Sequence, residues 1–400
     1  MTIHTQWMTL LRENATNAFG KTLPKPAEAS FIDGQIKLMK GDSVQTWSHF
    51  LYSQFAAIIT RHFMEYGCKT VVLAFDDKRH VPKAKAITQL KRRTGVDIIE
   101  FFENDTLPSE VPANWKEAIM NPFFKHRVIE LVCENIPRLV DPPAGCTLII
   151  DWQTVTSYEY VEATKDPIVT TGDCTNIGEA DIKFAQWMQR LMRPMLIEAT
   201  DGDYIPISLG LKTMDINHPV SILKGRRDDG FEFIDIDELH TFLCQSFGHA
   251  ARGKTLGEHW EIKLFITLLG LSGTDFTRNL PLVSPSKMWA SLSIVVSTFA
   301  MDGPATVHQK QCKRLVELLY AETFPKHIDA FERGMSVWHQ AQASKLGARN
   351  KALIPTDARI RCTLKNLNFL MAYWVTFKPP TAIELYGFRV GATGAIEWDD

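Results

Sequence analysis

Residues 67–76 read GCKTVVLAFD, and this stretch decides the fold that we expect. The apolar run that ends at Asp76 is typical of a strand buried on both faces of a parallel sheet. Before it, Trp47–Tyr66 carries apolar residues at helical spacing, and Gly67 is typical of the end of a helix. An earlier apolar strand lies within Ala29–Leu38. Strand, long helix and strand together predict a βαβ unit.

Strands and helices continue to alternate beyond this unit. Further helices are predicted at residues 6–19, 123–135, 179–192, 236–247 and 258–270, and buried strands at 146–151 and 195–199. A hairpin is predicted from 220–224 and 231–234, whereas the polar stretch 159–175 is interpreted as a loop. Residues 285–400 are predicted to be mostly helical, with strands near the end. This alternation predicts an α/β fold with a mostly parallel central sheet flanked by helices.

Composition and charge narrow the class of protein. The 400 residues include 44 basic and 46 acidic side chains, a near-neutral balance that argues neither for nor against nucleic-acid binding. Seven cysteines lie scattered without a CxxC pair, which argues against a zinc site or a disulfide framework and fits a reducing compartment. No apolar run is long enough to span a bilayer, and no signal peptide is recognised. We therefore expect no membrane partner and an intracellular location, in the nucleus or cytoplasm, with an infected host cell as one interpretation.

Seven acidic residues fall at the ends of predicted strands or at the starts or ends of predicted helices. They are Asp33, Asp76, Glu179, Asp181, Asp201, Asp203 and Asp275. Ligands of an open parallel sheet bind beyond the carboxyl ends of its strands, so these acids are expected to converge. Converging carboxylates repel one another unless a cation compensates them. Oxygen ligands favour magnesium or manganese over zinc, and the twelve histidines, which form no HxxxH or HExxH pair, are assigned no ligand role.

The spacing of the acids suits two metal ions. Glu179 and Asp181 lie two residues apart at a helix start, where the helix dipole tolerates anions. Asp201 and Asp203 flank Gly202, which permits a tight turn. Two such pairs could hold two ions roughly 4 Å apart. Taken singly, each acid is explained as well by a helix cap or a turn, and only their joint order favours a site.

In this order the acids resemble the flap endonuclease family, the FEN/XPG superfamily with its PIN-like fold, over about residues 25–290. The strings FIDG, LAFDDKRHVPKAK, IGEAD, EATDGD and LLGLSGTDF stand where the family has IDAS, VFDGKPP, EAEA or EADD, ATEDMD and LLGSDY. All seven acids of the family's two-metal site thus have a match. The resemblance implies one Mg²⁺ at Asp33, Asp76, Glu179 and Asp181, and a second at Asp201, Asp203 and Asp275, with Mn²⁺ as a substitute.

The segment after Asp76 is strongly basic. The resemblance implies that it begins a helical arch over about residues 78–140, in which Lys83 and Arg92 or Arg93 steer the scissile phosphate. Further contacts to nucleic acid are expected from Lys78, Arg79, Lys85, Lys91 and Lys287. The residues alone leave another interpretation open, a solvated and charged helix face. The same resemblance implies a nuclease core over 1–290 and a mostly helical C-terminal extension over 291–400.

One stretch departs from the family pattern. The family's glycine-rich hairpin GIGPKRA, which grips duplex backbone, is replaced by LPLVSPSKMWASL at residues 280–292. Pro285 and Lys287 keep the register, but the glycines are lost. No sliding-clamp motif is recognised, and the chain ends in the acidic string IEWDD. These departures indicate a divergent branch, for which a viral source is one interpretation.

We therefore expect a magnesium-dependent hydrolase, an endonuclease or 5′-exonuclease of DNA replication or repair. Its expected partners are branched or duplex DNA with a 5′ flap, nick or end. An RNA-cleaving endoribonuclease of the same superfamily is one alternative. Another is a catalytically silent structural protein on the nuclease fold, against which the complete set of acids argues.

Overall fold

A computed structural model describes most of the chain. The described residues are 3–76, 97–161, 166–172, 178–227, 230–251, 257–277, 284–298, 357–377, 380, 382–390 and 396–398. The helices are α1 (Ile3–Asn14), α2 (Gly34–Leu38), α3 (Trp47–Leu51), α4 (Ala57–Met64), α5 (Trp115–Met120), α6 (Pro122–Leu139), α7 (Ala180–Leu191), α8 (Tyr204–Lys212), α9 (Ile236–Ala251), α10 (Trp260–Ser272), α11 (Pro285–Ala290), α12 (Leu292–Thr298) and α13 (Asp357–Thr376). The strands are β1 (Phe19–Gly20), β2 (Ala29–Asp33), β3 (Thr70–Ala74), β4 (Cys146–Asp151), β5 (Val155–Tyr160), β6 (Ile168–Gly172), β7 (Met195–Glu198), β8 (Val220–Arg227), β9 (Gly230–Asp235), β10 (Phe388–Val390) and β11 (Ile396–Trp398).

Nine strands form one large mixed sheet in the order β1-β9-β8-β7-β2-β3-β4-β5-β6. The five central strands, from β8 to β4, run parallel to one another. At one edge β9 and β1 are antiparallel, and at the other edge β5 and β6 are antiparallel. The predicted α/β class, with helices flanking a sheet, is confirmed. The expectation of a mostly parallel sheet holds for its centre and not for its edges.

The βαβ unit forms as the sequence predicts. Helices α3 and α4 are joined by one π-helical turn, Tyr52–Ala56, into a continuous helical segment between β2 and β3. Gly67 lies beyond its end with a φ of +70°, a conformation that glycine adopts without strain. The hairpin of β8 and β9, and helices α6, α7, α9 and α10, also lie where they are predicted.

One local prediction is wrong, and a second is correct for a strand but misses the helix that follows it. The stretch 159–175, interpreted as a loop, contains the end of β5 and all of β6. Strand β6 is exposed along its length, so its sequence shows no apolar alternation, although its β-branched residues suit a strand. The apolar run predicted as a strand within 29–38 ends at Asp33 and continues as α2. The carboxylate of Asp33 accepts hydrogen bonds from the backbone N–H groups of Gln35 and Ile36 and so begins that helix.

Apolar residues alternate along the central strands and form one core on each face of the sheet. Phe31 of β2 and Val72 of β3 belong to one core, while Ile32 and Leu73 belong to the other. This alternation follows from the two-residue period of a strand. The first core includes residues of α1, α7, α8, α9, α10 and α13, and the second includes residues of α3, α4, α5 and α6.

Helix α13 packs into the first core although it lies more than 350 residues along the chain. Trp374 and Tyr373, which end the apolar string NLNFLMAYW at residues 366–374, are buried there. The backbone of α8 approaches α13 so closely that a Cβ at Gly210 would lie 2.3 Å from the carbonyl oxygen of Trp374. Among the described residues, none of the helices is both long and apolar enough to cross a membrane.

Candidate metal centre

Acidic residues lie at the carboxyl ends of the central parallel strands. Asp33 is the last residue of β2, and Asp76 follows β3 by two residues. Asp201 and Asp203 follow β7 in the turn that leads to α8. Because the central strands are parallel, these ends lie at one edge of the sheet, where ligands of such sheets bind. The tertiary fold thus brings the acids of three strands to the end of the sheet at which the parallel strands finish. This end, with Asp33, Asp76, Asp201 and Asp203, is called the acidic edge.

Asp33 is held in place by hydrogen bonds on both carboxylate oxygens. Its Oδ1 accepts from the backbone N–H groups of Gln35, at 2.9 Å, and Ile36, at 3.3 Å. Its Oδ2 accepts from the Tyr204 hydroxyl at 2.9 Å. Burial and the negative charges of Asp76 and Asp181 raise the pKa of Asp33 to about 7, although the hydrogen bonds from Tyr204 and Ile36 oppose that rise.

A hydrogen bond joins Asp76 to the start of α7. The backbone N–H of Ala180 donates to Oδ1 of Asp76 at 2.9 Å. This bond places the N-terminal end of α7 beside the carboxyl end of β3. Glu179, which precedes the helix, and Asp181, in its first turn, are both buried there. The helix start therefore adds two carboxylates to the sheet edge.

Two further acids at this edge have buried cationic partners. Asp151, which ends β4, accepts a hydrogen bond from Lys183 of α7 at 2.7 Å, and both side chains are completely buried. Glu198, which ends β7, is paired with Lys37, Arg61 and His62. Burial alone would raise the pKa of Glu198, but the hydrogen bond to His62 and these positive charges hold it well below its usual range. Asp151 and Glu198 are therefore structural acids, and Lys183 fixes α7 against the sheet.

The Asp201-Gly202-Asp203 turn follows β7 and leads into α8. The backbone N–H of Asp203 donates to Oδ1 of Asp201 at 3.3 Å, which is the geometry of a local turn. Asp203 is buried, whereas Asp201 is exposed. The next residue, Tyr204, is the donor to Asp33. The turn therefore presents one exposed and one buried acid next to Asp33.

Two buried tyrosines experience the combined charge of this edge. Burial raises the pKa of Tyr204 well above its ordinary value, and Asp33, Asp181 and Asp201 add to that rise. Burial likewise raises the pKa of Tyr373 on α13, and the negative charges of four acids add to it. Those four acids are Asp181, Glu179, Asp76 and Asp203. Six of the seven predicted acids thus contribute to the raised pKa of Tyr204, of Tyr373 or of both.

The seventh acid, Asp275, lies in a turn after α10 and is half-buried. The turn is held by Thr277, whose hydroxyl donates to the carbonyl oxygen of Gly270 at 2.7 Å. The neighbouring Phe276 packs edge-on against Tyr373, with 5.3 Å between ring centroids. The Asp275 turn therefore adjoins the helix that carries Tyr373.

The oxygen donors are of the type that a hard divalent cation prefers, but their carboxylate oxygens are widely spaced. Among the described residues, no three of these acids place carboxylate oxygens all within 4.8 Å of one another. Magnesium takes oxygen ligands at about 2.1 Å, so side-chain rotation toward the ion would be required. A cation would also relieve the repulsion that contributes to the raised pKa of Asp33. The donor chemistry and the electrostatics are therefore compatible with Mg²⁺ or Mn²⁺, whereas the spacing of these oxygens among the described residues is not that of a formed ion site.

The predicted phosphate contacts fall mostly outside the described residues. These are Lys78, Arg79, Lys83, Lys85, Lys91, Arg92 and Arg93. Lys287 is described and is exposed in the first turn of α11. Its backbone N–H donates to the hydroxyl of Ser284, which caps the helix, and Pro285 occupies the first helical position. The end of the replaced hairpin is therefore a capped helix, with Lys287 on its surface.

Sequence reasoning did not select Asp151, Lys183, Tyr204 or Tyr373. Asp151 ends the apolar string CTLIID, a signal as strong as that of Asp76. Lys183 has no such signal, because a lysine in an amphipathic helix is normally exposed. Tyr373 lies inside an apolar run and shows only that it is buried. The partners of these side chains become evident only in the tertiary structure.

Comparisons with known proteins do not assign this chain to a family. No protein-family model matches it, and no curated protein matches it either. Its function is therefore argued from the acidic edge itself.

Proposed function

We propose that this chain is a divalent-metal-dependent nuclease that hydrolyses phosphodiester bonds at the acidic edge of its sheet. The observation that carries this proposal is the placement of six acids, from four separate segments, at the carboxyl ends of parallel strands, where Tyr204 donates to Asp33 and the backbone of Ala180 donates to Asp76. Such a concentration of carboxylates destabilises a fold unless it serves to bind cations. A PIN-like fold of the FEN/XPG type is part of the proposal, and the parallel centre of the sheet is compatible with it.

The acids divide into two groups of proposed ligands. Asp33, Asp76, Glu179 and Asp181 would hold one Mg²⁺, and Asp201, Asp203 and Asp275 the other, with Mn²⁺ as a substitute. When bound, two such ions supply an activated water and compensate the charge of the leaving oxygen. Tyr204 orients Asp33 through its hydrogen bond and lowers the fraction of Asp33 that is protonated at neutral pH. Lys183 keeps Glu179 and Asp181 at the edge by anchoring α7 to Asp151.

Basic residues would bind the substrate backbone. Lys83 with Arg92 or Arg93 is proposed to contact the scissile phosphate, because lysine and arginine dominate phosphate recognition. Additional backbone contacts are proposed for Lys78, Arg79, Lys85, Lys91 and Lys287. The proposed substrate is branched or duplex DNA with a 5′ flap, nick or end.

Cleavage of RNA is the second candidate. The observation that favours it is the capped helix at Ser284 and Pro285, which stands where the family has a glycine-rich hairpin for duplex backbone. A silent structural protein is the least favoured candidate. Without a bound cation, the hydrogen bonds from Tyr204 and Ile36 offset only part of the burial and repulsion that raise the pKa of Asp33 to about 7.

A direct cleavage assay tests the proposal. Purified protein with Mg²⁺ should cut a labelled 5′-flap, a gapped duplex or single-stranded RNA, and EDTA should stop the reaction. Asp201→Asn should abolish cleavage without unfolding the protein, because Asp201 is exposed. Asp215→Asn is the matched control, since Asp215 is an exposed acid in the turn after α8. Metal-dependent cutting retained in Asp201→Asn would contradict the site assignment, and no cutting of any substrate by the unaltered protein would favour the structural candidate.

A further inference from the structure

A second cluster of metal-ligating side chains lies between α9 and α10. His240 and Cys244 are one helical turn apart on α9 and therefore project from the same face. His259 directly precedes α10, and Glu261 lies in its first turn. Glu261 is roughly 17 Å along α10 from Ser272, the end that leads to the Asp275 turn. This cluster is thus separate from the acidic edge.

The donor atoms of the cluster form two overlapping sets of three: Cys244 with His240 and Glu261, and His259 with the same two residues. Cys244 and His259 would therefore have to approach each other to share one ion. Sγ of Cys244 lies 3.4 Å from Nε2 of His240 and 3.2 Å from Oε1 of Glu261. Nε2 of His240 lies 3.5 Å from Oε1 of Glu261. His259 also places a ring nitrogen within 4.8 Å of donor atoms of both His240 and Glu261. In a tetrahedral zinc site with bonds of about 2.0–2.3 Å, neighbouring donor atoms lie about 3.3–3.8 Å apart. Three of the measured separations already lie at or near that range.

The chemistry of these donors differs from that of the acidic edge. Two imidazoles and a thiol are borderline or soft ligands, which select zinc over magnesium, and zinc also accepts a carboxylate oxygen beside them. All four side chains are half-buried, so an ion can reach them from solvent. His259 has a left-handed backbone, with φ of 52° and ψ of 28°, a conformation that a non-glycine residue adopts at a cost and that clusters at binding sites.

The electrostatics of the cluster respond to a cation. Burial, together with the hydrogen bond to Glu261, raises the pKa of the Cys244 thiol to about 12, so the thiol keeps its proton. Burial alone would raise the pKa of Glu261, but hydrogen bonds from His240, its own backbone and Cys244 hold it below its ordinary value. A bound Zn²⁺ would displace the proton of Cys244 to solvent, forming a sulfur–zinc bond.

We propose that His240, Cys244, His259 and Glu261 form a tetrahedral zinc site that joins α9 to α10. Four protein ligands leave no open coordination position, so the site is structural. It would fix the start of the helix whose far end leads to the Asp275 turn. The absence of a CxxC or HxxxH motif does not exclude such a site, because HxxxC and HxE supply the same donors from two helices.

Cobalt substitution tests this proposal independently of nuclease activity. In excess Mg²⁺, which occupies the acidic edge, the full chain stripped of other metals should bind one Co²⁺ in this cluster. The complex should show the intense visible absorption of tetrahedral Co²⁺ and a thiolate-to-cobalt charge-transfer band, and Zn²⁺ should displace it. Cys244→Ser should abolish the charge-transfer band, and Cys133→Ser, at another half-buried cysteine, should leave it unchanged.

Two further variants keep the test decisive. His259→Gln, which alters a side chain outside both helices, should weaken Zn²⁺ binding by about 10–100-fold and serves if Cys244→Ser does not fold. Asp215→Asn, at an exposed acid outside both proposed sites, should bind Zn²⁺ as the unaltered protein does. The measurement uses no nucleic acid and reads out the thiolate band, so that failure of the nuclease proposal leaves this result intact. Absence of a one-to-one tetrahedral complex, or affinity unchanged in His259→Gln, would overturn the site.

Discussion

The Tyr204 hydroxyl donates a 2.9 Å hydrogen bond to Oδ2 of Asp33, and both side chains are buried at the acidic edge of the sheet. The bond favours the ionised form of Asp33, whereas burial and the neighbouring acids favour the protonated form. The balance leaves the pKa of Asp33 at about 7, close to neutral pH. Small changes around this pair should therefore change the pH dependence of metal binding and cleavage.

Tyr204→Phe removes the donor and should raise the pKa of Asp33 further. Because a protonated carboxyl binds Mg²⁺ poorly, the acidic limb of the cleavage rate should move to higher pH, and more Mg²⁺ should be required at pH 7. The measurement is the cleavage rate against pH and Mg²⁺ concentration. Tyr373→Phe is the matched control, because the Tyr373 hydroxyl has no hydrogen-bond partner among the described residues. An unchanged profile in Tyr204→Phe would contradict this role.

Asp33→Asn should stabilise the protein in EDTA at pH 8. A folded pKa raised from 3.8 to about 7 means that protonation of Asp33 favours the fold. The contribution of Asp33 to stability is therefore fully present below about pH 4 and is lost as pH rises through about 7. Above pH 7 the difference corresponds to at most about 4 kcal/mol. Asparagine avoids this loss while its oxygen can still cap α2.

Chemical denaturation at pH 5 and pH 8 measures the effect of Asp33→Asn. The variant should show a smaller pH dependence than the unaltered protein, and Mg²⁺ should raise its free energy of unfolding less. Asp215→Asn, on an exposed turn, should match the unaltered protein. Equal pH dependence in the Asp33 and Asp215 variants would show that Asp33 is not the strained acid.

Lys183→Met should destabilise the fold by about 3–5 kcal/mol, because it leaves the carboxylate of Asp151 buried without its cationic partner. Urea denaturation measures the loss. The double variant Lys183→Met with Asp151→Asn should recover part of it, since the uncompensated charge is gone. A loss below about 1 kcal/mol in the single variant would contradict the proposed anchoring of α7.

Lys287→Ala should weaken nucleic-acid binding to a similar extent for all sequences and reduce the slope of log affinity against log salt by about one. The reason is that an exposed lysine beside the substrate releases about one counterion. Binding titrations at several salt concentrations measure this slope. Lys69→Ala is the control, because Lys69 is exposed just before β3, at the opposite end of the central strands from the acids. Equal slopes for the two variants would remove Lys287 from the interface.

Short sequence patterns predicted the buried strands and helices and the acidic residues at their ends. The apolar run before Asp76 and the apolar residues of Trp47–Tyr66 are each short, continuous patterns in the sequence. Their burial can therefore be predicted from periodicity alone. Strand β6 was missed because it is exposed on both faces and shows no such period. Helix α2 was missed because one capping side chain, Asp33, ended the strand early.

The sequence by itself determined an α/β chain with acids at the carboxyl ends of buried strands. Only the tertiary structure decided which side chains meet: Tyr204 with Asp33 across 171 positions, and Lys183 with Asp151 across 32. It also brought His240 and Cys244 of one helix to Glu261 of the next. The physical reason is that hydrophobic burial is non-directional, so an apolar pattern specifies that a face is covered without specifying by what.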